Sequence, residues 1–306
     1  MTRTAAPVTA APATSAPAPT PPRVRSAAWF TVPFLLAYGL FFAWPAVYGL
    51  WTSFTDANLT GHGGAFIGFA NYAEAFTDPD MWSALGNTLF FTVITTVPLV
   101  VVALVMALLV ATGLPGQWIY RLSFFAPYLL ASAVVAALWF WIYQPSGGLA
   151  TAVFTGLGVT GEIGWLTDAD VAMWSIAITT VWWTVGFNFL LYLAAIQTIP
   201  DHLYEAAALD GAGALRRTWS ITLPMLSRTT GLIVLLQVLA SLKVFDQIYL
   251  MTSGGPDGAT RSTIEYVYDT AFTGYRLGHA AGVSVIFFAL IILVSLVRTL
   301  RTSREG

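Results

Sequence analysis

The sequence predicts an all-α membrane protein that crosses the bilayer six times. Of its 306 residues, 57% are hydrophobic and only 9% are charged, whereas soluble domains carry about a quarter charged residues. Six apolar runs are each long enough to cross a hydrocarbon core of about 30 Å. They lie at about 28–53, 85–112, 122–144, 171–197, 227–252 and 280–299.

Two terminal segments flank this predicted membrane domain, which covers residues 28–299. Residues 1–27 are mostly Ala, Pro, Thr and Ser with three arginines, a composition that cannot bury enough apolar surface to fold. We expect a disordered tail there and a second, short tail at 300–306. Both tails are expected in the cytoplasm.

Prolines occur inside the apolar runs of this domain, and polar connections lie between the runs. Pro45, Pro98 and Pro127 lie inside apolar runs, where each removes a backbone N–H and is expected to kink its helix. Longer polar connections, with Gly, Pro and Trp, are expected on the opposite side of the membrane from the termini. They cover 54–84, 145–170 and 253–279.

The orientation follows from the arginines. With six crossings, only Arg261 and Arg276 fall on one side of the membrane and ten arginines fall on the other. Positively charged residues favour the cytoplasmic side, so both termini and the connection that contains Glu205 are predicted to be cytoplasmic. The ten are Arg3, Arg23, Arg25, Arg121, Arg216, Arg217, Arg228, Arg298, Arg301 and Arg304.

A charged segment at 200–226 separates the fourth and fifth apolar runs. Pro200 followed by an acidic residue marks a helix start, so a short helix is predicted over Asp201–Leu209, ending at Gly211 or Gly213. A second short helix is predicted from 214 to about 222. Helices this short are marginal in water and need a surface to pack on. The first offers an apolar face of Leu203, Ala206, Ala207 and Leu209.

This segment carries a recognisable motif. Glu205, Ala206 and Ala207 are followed at fixed spacing by Gly211 and then by 221–224, Ile-Thr-Leu-Pro. The pattern resembles the EAA loop of membrane subunits of binding-protein-dependent ABC importers, which docks into a groove on the ATPase. The resemblance implies a coupling role for Glu205, Ala206, Ala207, Asp210, Gly211, Ile221, Leu223 and Pro224. The alternative is an amphipathic hairpin at the membrane surface.

The resemblance extends over nearly all of the chain after the tail. It is similar to the sugar-permease branch, of the maltose and glycerol-3-phosphate type, in segments 33–36, 44–54, 66–72, 78–88, 245–249 and 252–256. This implies a type I ABC importer permease fold in a bacterial cytoplasmic (inner) membrane. It also implies three partners: a second permease subunit, a cytoplasmic ABC ATPase dimer and an extracytoplasmic solute-binding protein.

Catalytic chemistry is not expected of this chain. Its one lysine, Lys243, follows Leu242, so no phosphate-binding Gly-Lys loop exists, and ATP with Mg is expected on the partner ATPase. Cysteine is absent, and the three histidines, His62, His202 and His279, are far apart and expected at the surface or at the membrane interface. No catalytic residue, metal site or bound cofactor is predicted, and a net charge of −2 argues against a nucleic-acid partner.

Several polar and aromatic residues of the apolar runs are candidates for a sugar path. Lys243 and Asp246 are three residues apart and are predicted to share one face of the fifth helix. Charges within the bilayer are costly, so the two either line the path or form an ion pair whose ends reach water. Polar candidates from the same runs are Asn188, Tyr192 and Gln237. Trp183 offers an aromatic face for a sugar ring or belongs to an interfacial belt.

These observations indicate the permease subunit of an ATP-driven importer that forms half of the translocation path for a sugar. The alternative is an ion-coupled secondary transporter that uses Asp246 as a proton or cation site.

Overall fold

A computed structural model describes the backbone of residues 24–61, 63–113, 115–159 and 161–302. In this part of the chain β-type pairing is limited to one bridge, between Thr55 and Phe66. The α-helices are α1 (Val24–Tyr38), α2 (Trp44–Thr52), α3 (Ala70–Thr77), α4 (Pro79–Ala111), α5 (Gln117–Phe125), α6 (Ser132–Ile142), α7 (Leu149–Gly156), α8 (Ala169–Ile196), α9 (Asp201–Leu209), α10 (Ala214–Arg217), α11 (Leu223–Met225), α12 (Ser227–Leu242), α13 (Asp246–Met251), α14 (Thr263–Tyr268) and α15 (Leu277–Thr302).

The predicted tails lie mainly outside the described residues, as does His62. Helix α1 begins at Val24 and α15 continues to Thr302. Helical backbone therefore extends a few residues past the approximate limits of the apolar runs, and the disordered tails stay a prediction.

The multi-pass helical fold is confirmed. Four helical segments are long and apolar enough to cross a membrane, and two bent helix pairs bring the number to six if each pair is one span. The single segments are Thr31–Thr52, Pro79–Ala111, Ala169–Ile196 and Leu277–Leu296. The bent pairs are Gln117–Leu129 with Ser132–Ile142, at 97°, and Ala214–Met225 with Ser227–Leu242, at 62°. The cytoplasmic position of the termini stays a prediction.

The third apolar run is not one straight helix. A 3₁₀ turn at Ala126–Leu129 contains Pro127, and the chain is extended at Leu130 before α6 begins. The indole Nε1 of Trp183 donates to the carbonyl oxygen of Leu130 at 3.2 Å, so a backbone acceptor at the bend finds a donor on α8. The proline kink expected here takes the form of a full break.

The fifth apolar run is also interrupted, and the predicted continuous helix at 227–252 is wrong. Helix α12 ends at Leu242 and α13 begins at Asp246. Val244, between them, is buried in a hydrophobic cluster, and its carbonyl oxygen accepts from the Ser262 hydroxyl at 3.0 Å. Tertiary packing therefore interrupts a run that contains no Pro or Gly at the break.

Residues up to Tyr48 form one compact unit and residues from Gly49 form another. In the first, a π-helical turn over Gly39–Ala43 ends where the N–H of Trp44 bonds to the carbonyl of Gly39. The next residue, Pro45, has no N–H to donate, so the wider turn accommodates the proline with α-helix on both sides.

In the second unit, α4 and α8 pack along one another, and α12 packs against both. Threonine hydroxyls along α4 and α8 donate to carbonyls four residues earlier, at 2.7–3.0 Å for Thr88, Thr92, Thr95, Thr179, Thr180 and Thr184. These bonds leave buried hydroxyls satisfied within their own helix, which apolar surroundings require.

Helix α5 approaches α8 closely at Gly186. A Cβ atom placed on Gly186 would lie 2.2 Å from the carbonyl oxygen of Phe124 and 2.8 Å from the Cα of Phe125. Both are backbone atoms, which cannot move aside as a flexible side chain can. The contact therefore requires glycine.

The connections that follow α2 and α13 fold into an ordered polar layer. Asn71 Nδ2 donates to the carbonyls of Ser53 and Thr55 at 2.9 and 2.8 Å. Arg276 donates to both carboxylate oxygens of Glu74 at 2.7 and 2.6 Å, and this bond holds the pKa of Glu74 below its usual range. His279 was expected at the surface or at the membrane interface, but it is buried with its Nδ1 3.5 Å from Glu74.

Glu265 is the buried carboxylic acid of this layer. Its side chain is 1% exposed, and within the described part of the chain its Oε2 has no hydrogen-bond partner. Burial, reinforced by the negative charge of Asp269, raises the pKa of Glu265 to about 7. A protonated, neutral carboxylic acid is therefore favoured at this position well above the usual range for glutamate.

Gly186→Ala should destabilise the fold, because the new methyl group overlaps the α5 backbone. We expect a loss of about 1–3 kcal/mol, which is typical of overpacking. The matched control is Gly86→Ala in α4, where an added Cβ meets no atom within 4 Å and helix propensity favours alanine. The thermal unfolding midpoint of the purified protein should fall for the first variant alone, and equal midpoints would contradict the close approach.

Glu265 should make stability depend on pH. Because its pKa is raised above the usual 4.5, the folded state binds this proton more tightly than the unfolded state does. Its contribution is therefore complete below about pH 4.5 and is lost as the pH rises through about 7, by about 3 kcal/mol at most. The thermal unfolding midpoint, measured as a function of pH, should lose this dependence in Glu265→Gln. The control Glu162→Gln, at an exposed site, should keep it.

Candidate functional site

The segment that carries the Glu-Ala-Ala motif forms two short helical stretches joined at Gly211. The first, α9, has the predicted bounds, Asp201–Leu209. At its end the N–H of Gly211 bonds to the carbonyl of Ala208 at 3.0 Å, and the N–H of Ala212 bonds to that of Ala207 at 2.9 Å. With φ of +74° at Gly211, this is a Schellman cap. Gly211 ends the helix, and Gly213, the other predicted candidate, precedes α10.

The second stretch is longer than predicted. It runs through α10, a π-helical turn at Thr218–Thr222 and α11, which contains Pro224. The N–H of Leu223 bonds to the carbonyl of Thr218, five residues earlier. The arrangement matches the one before Pro45, so a wide turn again carries a helix through a proline. The expected end before Leu223 is therefore wrong.

This segment is attached to the membrane-spanning helices at a few points. The Tyr204 hydroxyl lies 3.0 Å from the Thr222 hydroxyl and joins the two stretches. Leu226, directly after α11, is buried in the cluster formed by α4, α8 and α12. Ile221 and Leu223 are half-buried, whereas Glu205, Ala206 and Pro224 are exposed.

Large apolar side chains of the same segment are exposed. Leu209 is 91% exposed, Leu215 75% and Trp219 68%. Leu209 belongs to the apolar face that was predicted to need a packing surface, and that prediction stays untested without a partner. Leu215 and Trp219 were not among the predicted contact residues, although large apolar residues within a charged segment are a usable signal. Exposed apolar groups on a polar segment are typical of a protein–protein contact surface.

A second feature is a cavity of about 430 Å³ between α8, α12 and the break that follows α12. Four of the six predicted path residues line it: Trp183, Gln237, Lys243 and Asp246. Tyr128, Phe187 and Gln247 are further lining residues. The third span contributes Tyr128, which directly follows Pro127 at the break.

The break after α12 decides how Lys243 and Asp246 are presented. Lys243 caps α12, and Asp246 lies in the first turn of α13. The prediction that they share one helix face is therefore wrong. Both are exposed to the cavity. Among the described residues, the ion pairs within 4 Å are Arg261–Asp269, Arg276–Glu74 and His279–Glu74. Lys243 and Asp246 therefore present separate charges.

The other two predicted path residues lie behind the cavity. Asn188 Oδ1 accepts from Gln237 Nε2 at 2.8 Å, which links α8 to α12 and orients the Gln237 amide. Tyr192 is fully buried in the adjoining hydrophobic cluster. Asn188 thus supports a lining residue, and Tyr192 belongs to the packed core.

Aromatic rings form one wall of the cavity. The rings of Tyr128 and Phe187 stack with centroids 5.3 Å apart and planes inclined by 22°. Trp183 is held by its bond to Leu130. The flat aromatic faces can stack against a hydroxylated ring of a solute, and the amide and charged groups beside them can hydrogen-bond its hydroxyl groups.

Comparison with known proteins gives a family match over residues 81–303, to the binding-protein-dependent transport system inner membrane component. A sulfoquinovosyl glycerol transport system permease protein of Agrobacterium fabrum is 34% identical over 273 residues, 88% of each chain. An sn-glycerol-3-phosphate transport system permease protein of Escherichia coli is 34% identical over 267 residues, 87% of this chain and 90% of that one.

Solved structures match the fold. A bacterial ABC transporter involved in import of the acidic polysaccharide alginate superposes with a TM-score of 0.82 at 22% identity, covering 92% of this chain and 96% of that chain. A second structure, of a bacterial alginate ABC transporter in complex with an alginate pentasaccharide-bound periplasmic protein, gives a TM-score of 0.78. The helical architecture is therefore shared over nearly the whole chain.

Proposed function

The chain belongs to the family of binding-protein-dependent transport system inner membrane components, and from this premise we propose that it imports a sugar or sugar-like solute. It is the permease subunit of an ABC importer and forms half of the translocation path. The proposal rests above all on the cavity whose lining combines aromatic faces with Gln237, Lys243 and Asp246.

The substrate class follows from the cavity and from relatives. Stacked aromatic rings suit the apolar faces of a sugar, and amide and carboxylate oxygens suit its hydroxyl groups. Relatives that share about a third of the sequence are named for sulfoquinovosyl glycerol and for sn-glycerol-3-phosphate, both polyhydroxylated solutes. A small polyol or glycoside fits this chemistry.

Transport energy comes from a partner. A sequence whose one lysine follows Leu242 has no phosphate-binding Gly-Lys loop, so ATP and Mg bind to the cytoplasmic ATPase dimer. The exposed apolar side chains Leu209, Leu215 and Trp219, together with Glu205, provide the surface for that ATPase. A second permease completes the path, and an extracytoplasmic binding protein delivers the solute.

The ion-coupled alternative is set aside. It assigned Asp246 to a proton or cation site, whereas the family couples import to a binding protein and an ATPase. Uptake by the complete complex in vesicles separates the two: ATP inside should drive it, and a proton gradient without ATP should not.

Asp246→Asn should lower ATP-dependent uptake per assembled complex about tenfold, because loss of one charged hydrogen-bonding group costs about 1–3 kcal/mol. Lys243→Met should also reduce uptake. The matched control is Asp80→Asn, since Asp80 and Asp246 both lie in the first turn of a helix but only Asp246 lines the cavity. Uptake of a radiolabelled solute by proteoliposomes measures the effect. Normal uptake by both cavity variants would remove these residues from the path.

Gly211→Leu should still insert but lose copurifying ATPase and transport. A leucine at φ of +74° strains the backbone by about 1–2 kcal/mol and disturbs the cap that ends α9. Gly213→Leu is the control of equal bulk, because Gly213 has φ of −67° and open space around it. Glu205→Ala should weaken coupling less, since exposed ion pairs contribute at most about 1 kcal/mol. Full ATPase retention by Gly211→Leu in a pull-down would show that the segment does not couple.

A further inference from the structure

A second polar cavity lies beneath the segment 200–226. It has a volume of about 730 Å³ and is enclosed by the end of α4, the start of α5, the end of α8 and the segment itself. Its polar lining includes Arg121 from α5 and Arg217 from α10. The two arginines therefore line one space, one from a membrane-spanning segment and one from the candidate coupling segment.

The guanidinium groups have unused donors. Arg121 Nη2 donates to Gln117 Oε1 at 3.2 Å, but the buried Nε atoms of Arg121 and Arg217 have no hydrogen-bond partner within the described part of the chain. Asp201 also lines the cavity, yet the ion pairs of the described residues lie elsewhere. Buried donors without acceptors cost about 1–3 kcal/mol each, so the cavity favours an anion with several oxygens. Guanidinium groups bind phosphate oxygens strongly.

Part of the lining is apolar and comes from the ends of membrane-spanning helices. Leu108, Leu193 and Ile196 lie on this wall. A ligand that matches both halves is amphipathic, with an anionic head and a hydrocarbon chain. Basic pockets between membrane-spanning helices on the cytoplasmic side suit anionic lipid headgroups. A soluble phosphate has no hydrocarbon chain and would make no contact with the apolar wall.

We propose that Arg121 and Arg217 bind the phosphodiester group of an anionic phospholipid from the inner leaflet. A glycerol headgroup, as in phosphatidylglycerol, also places a hydroxyl donor near Asp201. The lipid then bridges a membrane-spanning segment and the segment that contacts the ATPase. The binding site rests on the cavity, whereas its placement in the inner leaflet and an effect on ATPase coupling rest on the proposed function.

The test measures lipid binding to the detergent-solubilised complex by native mass spectrometry. Phosphatidylglycerol should bind about tenfold more tightly than phosphatidylcholine, and inorganic phosphate at millimolar concentration should not displace it. Arg121→Gln and Arg217→Gln should each weaken phosphatidylglycerol binding about tenfold. Arg217→Lys, which keeps the charge, should retain most of it. The matched control is Arg216→Gln, whose side chain is exposed beside the cavity segment and should leave binding unchanged.

Three outcomes would overturn the lipid site. Equal losses for Arg216→Gln and Arg217→Gln would reduce it to general surface charge, and full displacement by phosphate would make it a soluble-anion site. Lipid binding that survives both cavity variants, with loss of copurifying ATPase, would assign the arginines to the protein partner. A complex that binds phosphatidylglycerol normally but imports no sugar would refute the proposed substrate and leave the lipid site standing.

Discussion

At two of the helix breaks in this fold, side chains from elsewhere in the chain donate hydrogen bonds to backbone carbonyls. Trp183 donates to the carbonyl of Leu130 at the first break, and Ser262 donates to that of Val244 at the second. In hydrocarbon an unsatisfied carbonyl costs several kcal/mol, so irregular backbone at membrane depth persists only where protein or a lined cavity satisfies it. Both breaks border the smaller cavity, which contains Tyr128 from one side and Lys243 from the other. The same polar bonds thus permit the irregular backbone and shape the candidate site.

The prolines also affect how the backbone hydrogen bonds of the membrane helices are satisfied. Pro45 and Pro224 each follow a π-helical turn whose last bond spans five residues, so the helix continues without a clash. Pro127 instead lies in a 3₁₀ turn before a break, and Pro98 lies within the unbroken helix α4. Proline alone therefore does not decide whether a membrane helix bends. The available donors and the local widening of the turn decide it.

Local signals were sufficient for some elements and not for others. The bounds of α9 follow from Pro200, Asp201 and Gly211, because capping is a property of a few adjacent residues. The break after Leu242 has no such signal, since neither Pro nor Gly lies there and Lys243 and Asp246 are compatible with a continuous helix. It is set by burial of Val244 and by Ser262, eighteen residues away, and a contact of this range is not encoded in periodicity. The motif of the segment and four residues of the smaller cavity were predicted, but their grouping required the tertiary structure.

Helix α12 joins the two candidate sites. It begins directly after Leu226, which is anchored in the core behind the segment 200–226, and it ends at Leu242 beside the smaller cavity. Its sixteen residues correspond to about 24 Å at a rise of about 1.5 Å per residue. Gln237, near its end, is tied to Asn188 on α8 by a 2.8 Å bond. A displacement of the segment therefore reaches Gln237 and Lys243 through one hydrogen-bonded helix, and α8 must move with it or that bond must break. Rigid elements with such discrete alternatives are the physical basis of coupling between distant sites.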